Sequence, residues 1–274
     1  MAELAVGTQR SAERDERVDG SSPLLSVSEL SRSFYGVKAL DGASFNVAPG
    51  TITGLIGPNG AGKTTVFNCV SGVVPPDGGT VVFDGTEITG WRPEDISRRG
   101  LVRTFQVTRG FPRLTVLETL LLHGDGQPGE ALSVALFNPG QSMAREAELT
   151  SRAVDVAKRL RLDGVLRNLS SDLSGGQKKL LEIGRALMAR PKLILLDEPV
   201  AGVNPTLAGE IAERIAELCQ SGLTFLIVEH DMDVVARLCD PVIVMAGGRS
   251  LTSGRFTEIV EDERVQDAYL GRRA

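Results

Sequence analysis

The string Gly57-Pro58-Asn59-Gly60-Ala61-Gly62-Lys63-Thr64 constrains this chain more than any other segment. It fits the pattern G-x-x-x-x-G-K-[ST], and each fixed position has a mechanical reason. Glycines let backbone N–H groups close around phosphate oxygens, the lysine reaches the outer phosphates of a nucleotide, and the threonine hydroxyl ligates Mg²⁺. A helix starting at the end of such a loop adds the positive end of its dipole. The context agrees: residues 51–56 read as a buried strand running into the loop, and 64–71 as a helix closed by Gly72.

Strand and helix patterns continue on both sides. Residues 24–30 and 43–47 read as strands, joined by a segment containing Phe34-Tyr35-Gly36. Pro75-Pro76-Asp77-Gly78-Gly79 is a turn before a strand at 80–83 and the tight turn Asp84-Gly85. Residues 93–99 suggest a short helix. The stretch 115–158 is mostly helical in pattern but is interrupted at 124–129 and at Asn138-Pro139-Gly140, as an inserted helical subdomain would be. Ser174 is a good helix N-cap, followed by the apolar face Leu180, Leu181, Gly184, Leu187, Met188. Residues 193–196 form a fully apolar strand. Asn204-Pro205 opens a further helix with the face Leu207, Ile211, Ile215, Leu218, ended by Gly222 before a strand at 223–228. Apolar strands alternating with helices predict an α/β fold around a buried parallel sheet.

With 274 residues, 42% of them hydrophobic and 24% charged, the chain has room for one large domain or two small ones. Residues 1–23 are polar and read as a disordered tail, leaving 24–274 as the folded domain with a helical insertion at about 107–190. The net charge of −5 argues against a broad nucleic-acid-binding face. Cys69, Cys219 and Cys239 lie far apart among apolar residues, as buried free thiols do. No apolar run approaches the roughly 20 residues that span a bilayer. The charged N-terminus lacks the apolar core of a signal peptide. The expectation is a soluble, cytosolic chain that reaches a membrane only through a partner.

A phosphate site of this kind needs an acidic residue at a neighbouring strand end. Leu193-Ile194-Leu195-Leu196-Asp197-Glu198 supplies two. Asp197 is placed to hold Mg²⁺ and Glu198 to polarise a water for attack on the terminal phosphate.

Between the two elements lies Leu173-Ser174-Gly175-Gly176-Gln177, which resembles the signature motif of ABC-transporter ATPases. The resemblance runs from about Leu24 to Leu270. It implies a P-loop NTPase (ABC ATPase) core with an antiparallel β subdomain and a helical signature subdomain. It further implies an ATP site using residues 57–64 together with Thr65, and Tyr35 stacking on adenine. Gln106 would contact Mg²⁺ and sense a transmembrane partner, and His230, after Glu229, would act as a switch histidine on the γ-phosphate. Asn204 falls where many members carry Asp. His123 matches no motif and reads as a surface residue. In such ATPases two subunits pair head to tail. ATP then lies between the glycine loop of one and Ser174, Gly175, Gly176 and Gln177 of the other.

Several strings narrow the resemblance: Arg103-Thr104-Phe105-Gln106, the insertion at 129–138, Glu198-Pro199-Val200-Ala201-Gly202-Val203-Asn204-Pro205, Glu229-His230-Asp231-Met232 and the ending Val265-Gln266-Asp267-Ala268-Tyr269-Leu270-Gly271. Together they are similar to the larger-insert ATPase subunits of branched-chain amino-acid importers. That implies a second ATPase subunit (the same chain or a sister), transmembrane permease subunits, a solute-binding protein met through the complex, and a peripheral place on the cytoplasmic side of the cell membrane. The segment through Phe111 and Leu114 would help form the groove for a permease coupling helix. Urea and short-chain amide importers share these strings, and the lipopolysaccharide-export ATPase shares the Tyr-Leu-Gly ending without the long insertion. Soluble ABC ATPases usually carry two cassettes or a long coiled coil, and a GTPase would need an Asn-Lys-x-Asp string that is absent here.

Overall fold

The computed structural model describes residues 22–104, 111–125 and 139–270. Two sheets organise them. The first is antiparallel, in the order β2-β1-β4-β5, built from β1 (Leu25–Phe34), β2 (Val37–Val47), β4 (Gly78–Phe83) and β5 (Thr86–Glu87). The second has the order β10-β9-β3-β8-β7-β6. Its strands β3 (Ile52–Ile56), β6 (Leu101–Arg103), β7 (Leu193–Asp197), β8 (Thr224–Val228) and β9 (Val242–Ala246) run parallel, and β10 (Arg249–Gly254) returns antiparallel on the β9 edge.

The parallel strands are apolar on both faces because both faces are covered. Side chains alternate across a strand, and the two cores divide accordingly. Leu55, Leu195, Leu226 and Met245 join the antiparallel sheet and helix α1 (Lys63–Val70), where Phe45, Val66, Phe67 and Phe83 are buried. Ile56, Ile194, Leu196, Phe225 and Ile227 face the other helices. These include α3 (Val116–Leu122), α4 (Pro139–Arg159), α5 (Gly175–Met188), α6 (Pro205–Gln220) and α7 (Met232–Leu238). The short α2 (Pro93–Arg98) precedes β6, and α8 (Phe256–Glu261) and α9 (Glu263–Leu270) end the described chain. Each such buried side chain is worth roughly 2 kcal/mol, so the sheet is a stiff base for the loops at its strand ends.

Several boundaries differ from the sequence pattern. The first two strands extend to Phe34 and start at Val37, because Tyr35 (φ 50°) and Gly36 (φ 84°) close a two-residue hairpin. Pro139, expected to interrupt a helix, begins one instead, in keeping with proline's place in a first turn. The strands β6, β9 and β10 and the helices α7, α8 and α9 carried no clear pattern in the sequence. Cys69 and Cys239 are buried, whereas Cys219 is half-buried with its thiol on the Gly50 carbonyl at 3.2 Å. His123 is not a free surface residue: its Nδ1 bonds the Thr119 carbonyl at 2.8 Å and its Nε2 accepts from Arg185 Nε at 2.9 Å. The expected tail, apart from Ser22 and Pro23, lies outside the described residues, as do Gln106 and the whole 129–138 insertion.

Candidate nucleotide site

The glycine loop leaves the C-terminal end of β3 and returns as α1. Gly57 has φ 150°, and a Cβ there would lie 2.2 Å from the Met245 carbonyl oxygen, so no other residue fits. Gly62 is the N-cap of α1 with φ 101° and offers no capping side chain. The first amides of α1 are therefore left without a side-chain acceptor, which is the arrangement an anion completes. Thr64 is exposed and Thr65 half-buried at this end, while Pro58, Asn59, Gly60 and Ala61 form the body of the loop. Lys63 is only 6% exposed. Its ammonium donates to the carbonyls of Gly57 at 2.6 Å and Pro58 at 3.0 Å, stretched back along the loop. Burial pushes its pKa down, and the charges of Glu198 and Asp197 oppose that shift. The two carboxylates therefore act on the lysine across the site.

At the end of β7, Asp197 Oδ2 accepts from Arg103 Nη2 at 3.0 Å. Among the described residues nothing bonds its Oδ1. Glu198 follows with φ 51°, an uncommon conformation for a residue with a side chain, costing on the order of 1 kcal/mol. Its amide donates to the Val228 carbonyl at 2.9 Å, which holds the turn against β8. The consequence is a direct contact between Glu198 Oε1 and His230 Nε2 at 2.9 Å. Beneath them Glu229, 3% exposed, accepts from the amides of Val200 at 3.0 Å and His230 at 3.1 Å. Burial raises the Glu229 pKa, with those amides and that of Asp231 pulling it back.

Ser174 and Gln177 cap α5 reciprocally: Ser174 Oγ accepts from the Gln177 amide at 3.3 Å and Gln177 Oε1 accepts from the Ser174 amide at 3.0 Å. Ser174 and Gly175 are exposed. Gly176 lies against Leu207 of α6, where a Cβ would come within 2.3 Å. Asn204 caps α6 through the Leu207 amide at 2.9 Å. Tyr35 is fully exposed at the tip of the β1–β2 hairpin, so it is not a core aromatic.

The structure thus brings together Lys63, Asp197, Glu198 and His230 at the C-terminal ends of β3, β7 and β8, where open α/β sheets bind ligands. The capped turn at Ser174 adjoins α6, whereas the glycine loop touches Ala39 and Leu40 of β2, Met245 and Gly248. Three further residues reach the site. Arg103 holds Asp197, Glu229 ties the Val200 and His230 loops, and Tyr269 of α9 lies beside the Gly57 backbone, which pulls down a phenol pKa that burial raises. Their partners are remote in sequence. The one usable signal was a charged residue, Glu229, closing an otherwise apolar strand.

No cluster of three or more His, Cys, Asp or Glu side chains able to cage a metal occurs among the described residues. A hydroxyl and one free carboxylate oxygen, Thr64 and Asp197 Oδ1, remain. That sparse set of hard oxygens suits Mg²⁺, which is held by one or two protein oxygens plus phosphates and water.

An α/β sheet with a glycine loop, a buried lysine and an Asp-Glu strand end defines a P-loop nucleoside-triphosphatase. The family model described as "ABC transporter" matches residues 40–201. The probable branched-chain amino acid transport ATP-binding protein LivG of Archaeoglobus fulgidus is 42% identical over 248 residues, covering 90% of this chain and 95% of that one. The high-affinity LivG of Escherichia coli K12 is 38% identical over 252 residues, covering 92% and 99%. Among solved structures, an ATP-binding cassette of an ABC transporter in its ADP conformation superimposes with a TM-score of 0.80 at 39% identity, covering 92% and 100%. This chain belongs to the ABC transporter family, and as one of its ATP-binding subunits it is an ATPase coupled to transport.

Proposed function

We propose that the chain powers an importer of branched-chain amino acids, hydrolysing MgATP in a site completed by a second ATPase subunit. The observation that carries the hydrolytic part is the Glu198–His230 contact of 2.9 Å beside Asp197 and Lys63. In this reading Tyr35 stacks on adenine, the amides of residues 57–65 and the Lys63 ammonium hold the phosphates, and Glu198 takes the proton of the attacking water. His230 hands its hydrogen bond from Glu198 to the γ-phosphate, releasing the carboxylate to act as base. Thr64 and Asp197 would hold Mg²⁺, which supplies charge neutralisation on the phosphates. Gln106, outside the described residues, is assigned the contact between that site and the permease.

The separate surroundings of the two helix ends support a shared site. Ser174, Gly175, Gly176 and Gln177 form a second helix N-terminus, capped within the chain yet exposed at Ser174 and Gly175, and a partner's γ-phosphate suits it. The partner is either a copy of this chain or a sister ATPase. No helix among the described residues is long and apolar enough to cross a membrane, so attachment to the cytoplasmic face comes through permease subunits, with a solute-binding protein met only in the complex. Phe111, half-exposed beyond β6, fits a permease coupling-helix groove. A cleft of about 350 Å³ lined by Pro93, Ser97, Thr104, His123 and Arg185 lies beyond β6 as well. The 24–274 domain with its helical insertion is part of the same reading.

The likeness to LivG proteins over nearly the whole length supports the choice of solute. The test is co-purification with the permease and binding protein, followed by ATPase assays in liposomes. Stimulation by leucine, isoleucine or valine is expected. Stimulation by urea or short-chain amides and not by these amino acids would overturn the solute while leaving the ATPase intact.

A further inference from the structure

Arg103 occupies the last position of β6, paired with Leu195 of β7. Its guanidinium is nearly out of solvent, at 8% side-chain exposure, against an Asp197 side chain at 11%. Nη2 donates to Asp197 Oδ2 at 3.0 Å and Nη1 to Asn68 Oδ1 at 2.6 Å. The group also lies over the Phe67 ring, 5.6 Å from its centroid, within the reach of a cation–π contact. Asn68 is four residues beyond Thr64 on α1, and residues so spaced share one face of a helix. Arg103 therefore braces both supports of the cation: the carboxylate itself, and the helix face that carries the Thr64 hydroxyl.

We infer that Arg103 is a positioning residue for the site's divalent cation, occupying Oδ2 of Asp197 so that Oδ1 faces the cation while the same guanidinium fixes α1 through Asn68. The inference rests on the proposed roles of Asp197 and Thr64. A buried ion pair contributes little net stability against an apolar alternative, so a purely structural account leaves the charge unexplained. The planar guanidinium spans two acceptors at fixed separation, which a lysine ammonium does not reproduce. Second-layer partners of metal ligands typically affect metal affinity by about 10- to 100-fold.

The test measures Mn²⁺ affinity by electron paramagnetic resonance in the presence of a non-hydrolysable ATP analogue, nucleotide binding in EDTA, and thermal melting. Wild type, R103K, N68A and D197A are compared. For R103K we expect Mn²⁺ affinity to fall about 10-fold with metal-free nucleotide binding close to wild type, and for N68A a smaller fall in the same direction. Wild-type Mn²⁺ affinity in both R103K and N68A, with D197A impaired, overturns the role of Arg103 alone. Wild-type Mn²⁺ affinity in D197A overturns the underlying assignment of Asp197. Equal losses of metal-free and metal-bound nucleotide affinity in R103K mark a general disturbance of the loop and also overturn the inference. If R103K does not fold, N68A decides the question, since it removes one arm of the brace and leaves the buried charge paired.

Discussion

Glu198 sits at φ 51° with its carboxylate on His230. Such a conformation persists only when its surroundings hold it; the Glu198 amide donates to the Val228 carbonyl, and the buried Glu229 holds the amides of the neighbouring Val200 and His230. Replacing the carboxylate by an amide keeps shape and hydrogen bonding but removes the base. Glu198→Gln is expected to bind ATP normally, to hydrolyse it at least about 10²-fold more slowly, and to accumulate a nucleotide-closed dimer. Near-normal turnover by this variant contradicts the assignment. Glu229 yields a pH prediction. Its pKa is raised above the ordinary 4.5 by burial, so the folded protein binds a proton there more tightly than the unfolded chain. Its contribution to stability is therefore full below the ordinary value and is lost as pH rises through the raised one. In urea unfolding, the stability of wild type relative to Glu229→Gln is expected to decline as pH increases above 4.5. A flat or rising difference contradicts the burial-driven shift.

At the scale of elements, the proposed function rests on two helix N-termini that the sequence punctuates differently. Gly62 leaves α1 uncapped, whereas Ser174 and Gln177 cap α5 within the chain. Ser174→Ala removes that cap and is expected to lower stability by about 1 kcal/mol, read by chemical unfolding. If Ser174 also meets a partner's γ-phosphate, the variant loses dimer-dependent hydrolysis while its own glycine loop binds ATP as before. Unchanged ATPase at full dimer occupancy contradicts that second role. Contiguity explains what was legible. The glycine loop, the Asp-Glu strand end and the Ser174 turn are short strings whose chemistry lies in neighbouring residues, so they stand out in the sequence and fall where expected. Arg103 and Glu229 act on partners 94 and 29 residues away, and such pairings exist only once β6 joins β7 and β8 fixes its neighbours. The edge strands β6 and β10 and the inner strand β9 carry no local pattern for a related reason: pairing makes them strands.

For the whole molecule, the sheet order sets β3 between β8 and β9, with β7 beyond β8. The glycine loop, Asp197, Glu198 and His230 thereby share one end of a rigid sheet, while the Ser174 turn rides on the helical side with α6. The fold class was visible from strand–helix alternation, and the antiparallel sheet followed from the family resemblance. In the proposed function the single chain offers a nucleotide-binding half and a phosphate-facing half with different neighbours. In that function two chains make one working site. The most direct measurement is ATP hydrolysis per subunit across a range of protein concentrations, with the dimer fraction followed in parallel by sedimentation in the presence of MgATP. Specific activity is expected to rise with the dimer fraction and to be very low where the protein is monomeric. Constant specific activity from a chain shown to be monomeric throughout would contradict the shared site.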